Sequence, residues 1–297
     1  MTAITFTPIS GSFGREVHGI DIALGLDDEQ LFEMTNIFVK HQFLLIRNQN
    51  ITESEYAAFG RRWSGKTRID SFTEMHLPGY DDINIIGNVG ELFQDEEYRN
   101  GASFWHTDCA AEPDPDATTM LFCIHAPEAD GETVLADMQS AYDDLEPNLK
   151  QQIQPLVARH CYAGAKTILG GRYDWEHTLT PVTEETARRF PPPVVRPLVR
   201  DHTITGRPGL YAPAGSIFSI DGMDQEYGDR LMAKLKAHVT QPKYCYAHQY
   251  KPGDILMWGN TSTMHFGKAT QAATNERDQR LLYRISPLGL PVGLTAK

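Results

Sequence analysis

Of the eleven histidines in the 297-residue chain, only His106 is followed two positions later by a carboxylate, in Phe104-Trp105-His106-Thr107-Asp108. Residues i and i+2 of a β-strand face the same way, so a strand here would let both side chains reach one metal ion. One further imidazole would complete a face of two histidines and one carboxylate. The other positions of an octahedral iron(II) would then stay open, which O2 chemistry requires. By spacing, His202 and His248 compete with His265 for the third place. Read alone, His-x-Asp is more often a strand-end pair making ordinary hydrogen bonds.

The C-terminal part adds weight. Tyr250-Lys251-Pro252-Gly253-Asp254 is a turn feeding the apolar run Ile255-Leu256-Met257-Trp258, with Asn260 and His265 just beyond. Fifteen residues after His265 comes Arg280-Leu281-Leu282-Tyr283-Arg284. On a strand both guanidinium groups share one face with Leu282, while Leu281 and Tyr283 take the other. Two inward arginines are costly without anions to pair with. A guanidinium fork that accepts a carboxylate bidentately suits a dicarboxylic co-substrate. The competing reading is a solvated basic pair on an edge strand.

The elements that must position these groups are mostly short strands. Residues 83–86, 120–125, 194–199, 244–250, 255–258 and 281–285 are apolar or alternating runs, separated by turns such as Thr205-Gly206-Arg207-Pro208-Gly209. Three helices accompany them. Asp27 to His41 puts Leu31, Met34, Ile37 and Phe38 on one side, Thr52 caps a helix running to Arg62 with Glu55 three residues on, and a third spans about Asp224 to Val239. Phe43 to Arg47 reads as a buried strand. Many strands with outer helices predict a β-sandwich or barrel core with helical buttresses. Pro191-Pro192-Pro193 is the one stiff segment and is too short to separate domains, so a single domain over 1–297 is expected.

Composition narrows the partners. A net charge of −12 disfavours nucleic acid and anionic membrane surfaces. No secretory signal or membrane span is legible, and Cys109, Cys123, Cys161 and Cys245 lie too far apart for a zinc knuckle or disulfide scaffold. A cytoplasmic protein is the expectation.

These motifs, in this order, resemble the TauD/TfdA family of Fe(II)- and 2-oxoglutarate-dependent dioxygenases. The resemblance runs from Gly14-Arg15-Glu16-Val17-His18-Gly19-Ile20-Asp21 through the Trp-His-Thr-Asp box and Gly131-Glu132-Thr133-Val134-Leu135-Ala136-Asp137-Met138. It continues through Arg200 to Arg207, the Gly-Asp-Ile-Leu-Met-Trp strand and the closing arginine pair. It implies a mainly β fold with flanking helices around a double-stranded β-helix (jelly-roll) core. It implies that His106, Asp108 and His265 bind iron, that Thr133 bonds 2-oxoglutarate near its metal-chelating end, and that Arg280 pairs with its distal carboxylate. Trp258 would line that pocket, and Arg284 would hold the acidic group of a small-molecule substrate. Fe(II), 2-oxoglutarate and O2 are the implied cofactor and co-substrates, and a homo-oligomer is compatible with the family.

Departures fall on the substrate side. Trp258-Gly259-Asn260-Thr261 replaces the family's Trp-Asp-Asn-Arg, Ala212-Pro213 replaces Val-Asn, and 63–78 supplies Lys66, Arg68 and His76 where the taurine enzyme has its taurine contacts. The expected substrate is therefore not taurine. The presence of Asp108 speaks against a halogenase. A non-catalytic 2-oxoglutarate or organic-acid sensor and a different metal-dependent barrel enzyme remain the alternatives at this stage.

Overall fold

In the computed structural model the described residues are 3–11, 13–70, 72–115, 118–161, 193–289 and 291. The N-terminal part forms strands β1 (Thr5–Ser10), β2 (Phe13–His18), β3 (Phe43–Ile46) and β4 (Asn84–Gly87), with helices α1 (Asp28–His41), α2 (Glu53–Ser64) and α3 (Glu96–Asn100). The middle holds β5 (Thr118–His125), β6 (Thr133–Asp137), α4 (Met138–Asp143), α5 (Pro147–Ile153), β7 (Val157–His160) and β8 (Val194–Pro197). There follow β9 (Val199–Asp201), β10 (Pro208–Leu210), β11 (Ile217–Ile220), helix α6 (Gln225–Val239), β12 (Cys245–His248), β13 (Ile255–Gly259), β14 (Thr263–Gly267) and β15 (Leu281–Ile285).

The helix starts lie where the capping residues place them. Asp27 and Thr52 each accept from the backbone N–H three residues on, while the side chains of Gln30 and Glu55 return the bond, and Asp224 caps α6. The run 194–199 divides in two. Pro197 offers no N–H to continue a ladder, so β8 pairs with β7, and β9 pairs separately with β10. The run 244–250 is strand only from Cys245 to His248, because a 3-10 turn over Pro242–Tyr244 precedes it. Of the Pro191–Pro193 segment, only Pro193 lies within the described residues.

The larger sheet runs β1-β2-β3-β13-β5-β15-β4, antiparallel except for β2 against β3. A smaller sheet runs β12-β6-β14, and two minor ladders join β11-β7-β8 and β10-β9. Phe43, Leu45, Leu121, Leu256, Trp258 and Leu282 of the larger sheet pack with Leu135 of β6 and with Tyr250. That cluster fills the space between the two sheets. The alternate residues of the same strands, among them Leu44, Ile46, Met120, Ile255, Met257 and Tyr283, pack outward against Leu31, Met34, Phe38, Tyr56 and Trp63 of α1 and α2. Burial on both faces explains why β3 and β13 read as unbroken apolar runs. The outer side of the smaller sheet, through Ala136 and Met264, is covered by α4, α5 and α6. The fold is mainly β with helices outside, as the strand count predicts. No helix among the described residues is long and apolar enough to cross a membrane.

Candidate active site

The imidazoles of His106 and His265 meet through the backbone. Each residue's N–H donates to the other's carbonyl, at 2.9 and 2.8 Å, in a single bridge between the 104–108 segment and β14. A mutually bonded antiparallel pair sends both side chains to one face, and the two ring centroids lie 4.2 Å apart. Only His106 of its segment is ladder-paired, however. Asp108 already begins a turn that passes through Cys109 at φ +61°. The strand expected over 106–108 is therefore replaced by one bridge and a tight turn, which swings the carboxylate back to the imidazoles. Asp108 Oδ1 lies 3.5 Å from His106 Nε2 and Oδ2 lies 3.7 Å from His265 Nε2. Potential ligand atoms of all three residues fall within 4.8 Å of one another.

Neighbouring bonds fix how each group presents its lone pairs. The Nδ1–H of His106 donates to Phe104 O at 2.8 Å, which leaves Nε2 as the free acceptor facing Asp108. Thr119 donates to Asp108 Oδ2 at 2.6 Å and itself accepts from Asn260 Nδ2 at 2.9 Å. Asn260 Oδ1 accepts from Trp258 Nε1 at 3.2 Å. Burial, with His106 nearby, lowers the His265 imidazole to about 3. The imidazole is therefore neutral at working pH. Burial works against ionisation of Asp108, but His265, His106 and Arg284 outweigh it and hold the carboxyl well below its usual range. One carboxylate and two imidazoles with converging atoms suit a divalent transition metal. The donor set fits iron(II).

Arg280 stands at the far end of the interior. It is buried, its Nε donates to Gly131 O at 3.0 Å, and no ion pair holds it among the described residues. Gly131 is required there: a Cβ on it would stand 3.1 Å from Arg280 Cδ, and its φ is +72°. Thr133 is paired with Gly267, two residues along β14 from His265, and Arg280 Nη2 lies 3.7 Å from where a Cβ on Gly267 would be. Two strand residues span about 6.6 Å. The register therefore sets Thr133 at the Arg280 end, not at the metal-chelating end that the resemblance implied. Trp258 is fully buried with its ring 4.6 Å from that of His265. Its place forms a wall of the same interior.

Arg284 shares a face of β15 with Leu282 and stands opposite Asn84 of β4. Its guanidinium is already ion-paired with Asp70 at 2.6 Å. Arg68, Asp70, Asp82, Asn84, Arg284 and Ser286 line a small polar pocket there. Arg68 also pairs with Glu112 at 2.5 Å and bonds Cys109 Sγ at 3.4 Å, next to Asp108. The rival histidines are elsewhere. His202 Nδ1 accepts from the N–H groups of Ile204 and Thr205 in its own turn, and His248 is bonded to Asp254 and Tyr246.

Sequence reading missed Thr119, Tyr250, Asp70 and Asn84. Thr119 could have been found only through its pairing with Trp258 across β5 and β13. Nothing local marks Asp70 or Asn84.

Comparison with known proteins shows the family and the fold. Residues 5–286 match the family described as "Taurine catabolism dioxygenase TauD, TfdA family". The chain is 29% identical over 286 residues to the alpha-ketoglutarate-dependent 2,4-dichlorophenoxyacetate dioxygenase of Burkholderia sp. (strain RASC), covering 93% of this chain and 92% of that one. It is 26% identical to pentalenolactone F synthase of Streptomyces arenae, covering 90% and 91%. The crystal structure of AAD-2 in complex with Mn(II) and N-oxalylglycine superposes with a TM-score of 0.81 at 25% identity, over 97% of each chain. The fold is accordingly that of the TauD-type enzymes, with a double-stranded β-helix core. Matched over residues 5–286, the chain belongs to the TauD/TfdA family of dioxygenases.

Proposed function

We propose that this chain is an Fe(II)- and 2-oxoglutarate-dependent dioxygenase acting on a small organic substrate other than taurine. The observation that carries this is one interior holding His106, Asp108 and His265 at one end and, at the other, Arg280, which has no ion pair among the described residues. A sensor needs no intact ligand triad, and a hydrolytic metal site has no use for the arginine. The relatives act on 2,4-dichlorophenoxyacetate and in pentalenolactone formation. Both are non-taurine chemistries, in line with the departures around residues 63–78.

His106, Asp108 and His265 would hold iron on one face, with His106 fixed by Phe104 O and Asp108 by Thr119. Arg280 and Thr133 would hold the distal carboxylate of 2-oxoglutarate, and Trp258 would close the wall behind it. When bound, iron and 2-oxoglutarate would supply O2 activation, one oxygen atom leaving in succinate with release of CO2 and the other entering the substrate or, where two hydrogens are removed, leaving as water. Hydroxylation, cleavage that follows it, desaturation and cyclisation all start from such a site. The substrate would enter on the side of Arg68, Asn84 and Arg284, with an acidic group meeting Arg284 in competition with Asp70. The charge of −12 disfavours nucleic acid and anionic membrane surfaces as partners, and the accompanying reading is a single-domain cytoplasmic enzyme, alone or as a homo-oligomer.

The test is O2 uptake and succinate release by the Fe(II)-loaded protein with 2-oxoglutarate, measured across a panel of aryloxy, terpenoid and alkyl acids. Turnover that needs both metal and keto acid is expected. Substrate oxidation that proceeds without any keto acid would reject the proposal.

A further inference from the structure

Tyr250 is buried just beyond β12, with its ring 4.6 Å from that of His248, and its hydroxyl bonds Thr133 Oγ1 at 2.9 Å. Two hydroxyls carry two hydrogens between them, and one bond uses only one. Thr133 Oγ1 has no other hydrogen bond among the described residues, so the pair keeps a spare donor inside the protein. Arg280 also keeps donors to spare, since only its Nε is engaged, with Gly131 O. Thr133 pairs with Gly267, where a Cβ would lie 3.7 Å from Arg280 Nη2, so the spare donors stand close together. They call for a group that only accepts, such as an ionised carboxylate.

We infer that Tyr250 is a positioning residue for co-substrate binding: by donating to Thr133 Oγ1 it turns the threonine's own hydrogen toward the carboxylate held by Arg280. The inference rests on the 2-oxoglutarate reading above and deepens it. Selectivity for a dicarboxylic keto acid then depends on a phenol that does not touch the metal. Phenylalanine at 250 keeps the packing on His248 but frees the Thr133 hydroxyl to rotate, weakening one hydrogen bond to a charged group.

The experiment is an anaerobic titration of the Fe(II)-loaded protein, following the visible charge-transfer band. It compares 2-oxoglutarate with 2-oxobutyrate, which has no distal carboxylate, in wild type, Tyr250→Phe, Thr133→Val and the double variant. Tyr250→Phe should raise the Kd for 2-oxoglutarate roughly fivefold or more and leave that for 2-oxobutyrate unchanged. The effect should vanish in the Thr133→Val background, because the phenol acts through that hydroxyl. Equal losses for the two keto acids would mean a packing role only. No loss, or a loss that persists without the Thr133 hydroxyl, would also overturn the inference. If Tyr250→Phe does not fold, Thr133→Val alone must show the same discrimination between the two acids, and its failure to do so is equally fatal. A wild-type protein that develops no band with 2-oxoglutarate instead rejects the reading of the function, and this inference with it.

Discussion

At the scale of single residues, the site depends on groups that aim the ligands as much as on the ligands themselves. Thr119 can donate only one hydrogen, and Asn260 Nδ2 occupies its acceptor side, so that hydrogen is committed to Asp108. Thr119→Val keeps the shape and removes the aim. Metal affinity should fall about 10- to 100-fold, read by Fe(II) or Mn(II) titration, with activity partly restored at saturating metal. An unchanged affinity would show that the bond contributes nothing to metal holding. Arg280 offers a second check. Truncating it to Ala should raise the 2-oxoglutarate KM by at least about tenfold while kcat at saturation falls less, since what is lost is binding of the distal carboxylate. A loss confined to kcat would place Arg280 elsewhere in the mechanism.

At the scale of elements, the metal face is made by backbone proximity. The loop between β10 and β11 comes so close to the ligand segment that a Cβ on Gly215 would stand 2.7 Å from His106 Cβ and 2.9 Å from its Cα. Gly215 also sits at φ +87°, which a side chain tolerates poorly. Gly215→Ala should therefore push His106 away from its bridge with His265 and cost metal affinity more than global stability. Parallel metal titration and thermal unfolding would separate the two. A lower melting temperature with unimpaired metal binding would refute the coupling. Helix α2 performs the corresponding service for the strands. The Tyr56 hydroxyl bonds the carbonyls of Met120 and Tyr283, at 2.9 and 3.0 Å, tying α2 across β5 and β15.

At the scale of the whole molecule, buried histidines link stability to pH. His160 is fully buried against Ser216, and burial, with Arg196 nearby, lowers it to about 3, as burial does for His265. The unfolded chain takes up these protons near pH 6.5, whereas the folded chain does not until about 3. Between those values the unfolded state binds more protons, so stability falls as the pH falls. The slope is about 1.4 kcal/mol per pH unit for each such histidine. His160→Gln should flatten the acid limb of the metal-free protein by about one proton, read from urea midpoints between pH 6 and 4. An unaltered slope would remove His160 from the account.

The chain's pattern was enough to determine its elements and its chemistry in outline. Capping residues set where α1, α2 and α6 begin, apolar runs located β3, β4, β5, β8, β9, β12, β13 and β15 but not β6 and β14, and the His106–Asp108 spacing with the Arg280–Arg284 alternation nominated candidate groups. Those signals are local: side-chain periodicity and turn chemistry act over a few residues. Spacing left the third imidazole open among His202, His248 and His265 and only the resemblance pointed to His265; the tertiary structure brings that one to His106, across the bridge to β14. It also decided that a turn, not a strand, delivers Asp108, that Thr133 stands at the arginine end, and that Asp70 already occupies Arg284. Each of these depends on register or on contact between segments distant along the chain, and such meetings are fixed by the packing of the two sheets, not by the spacing of neighbouring residues.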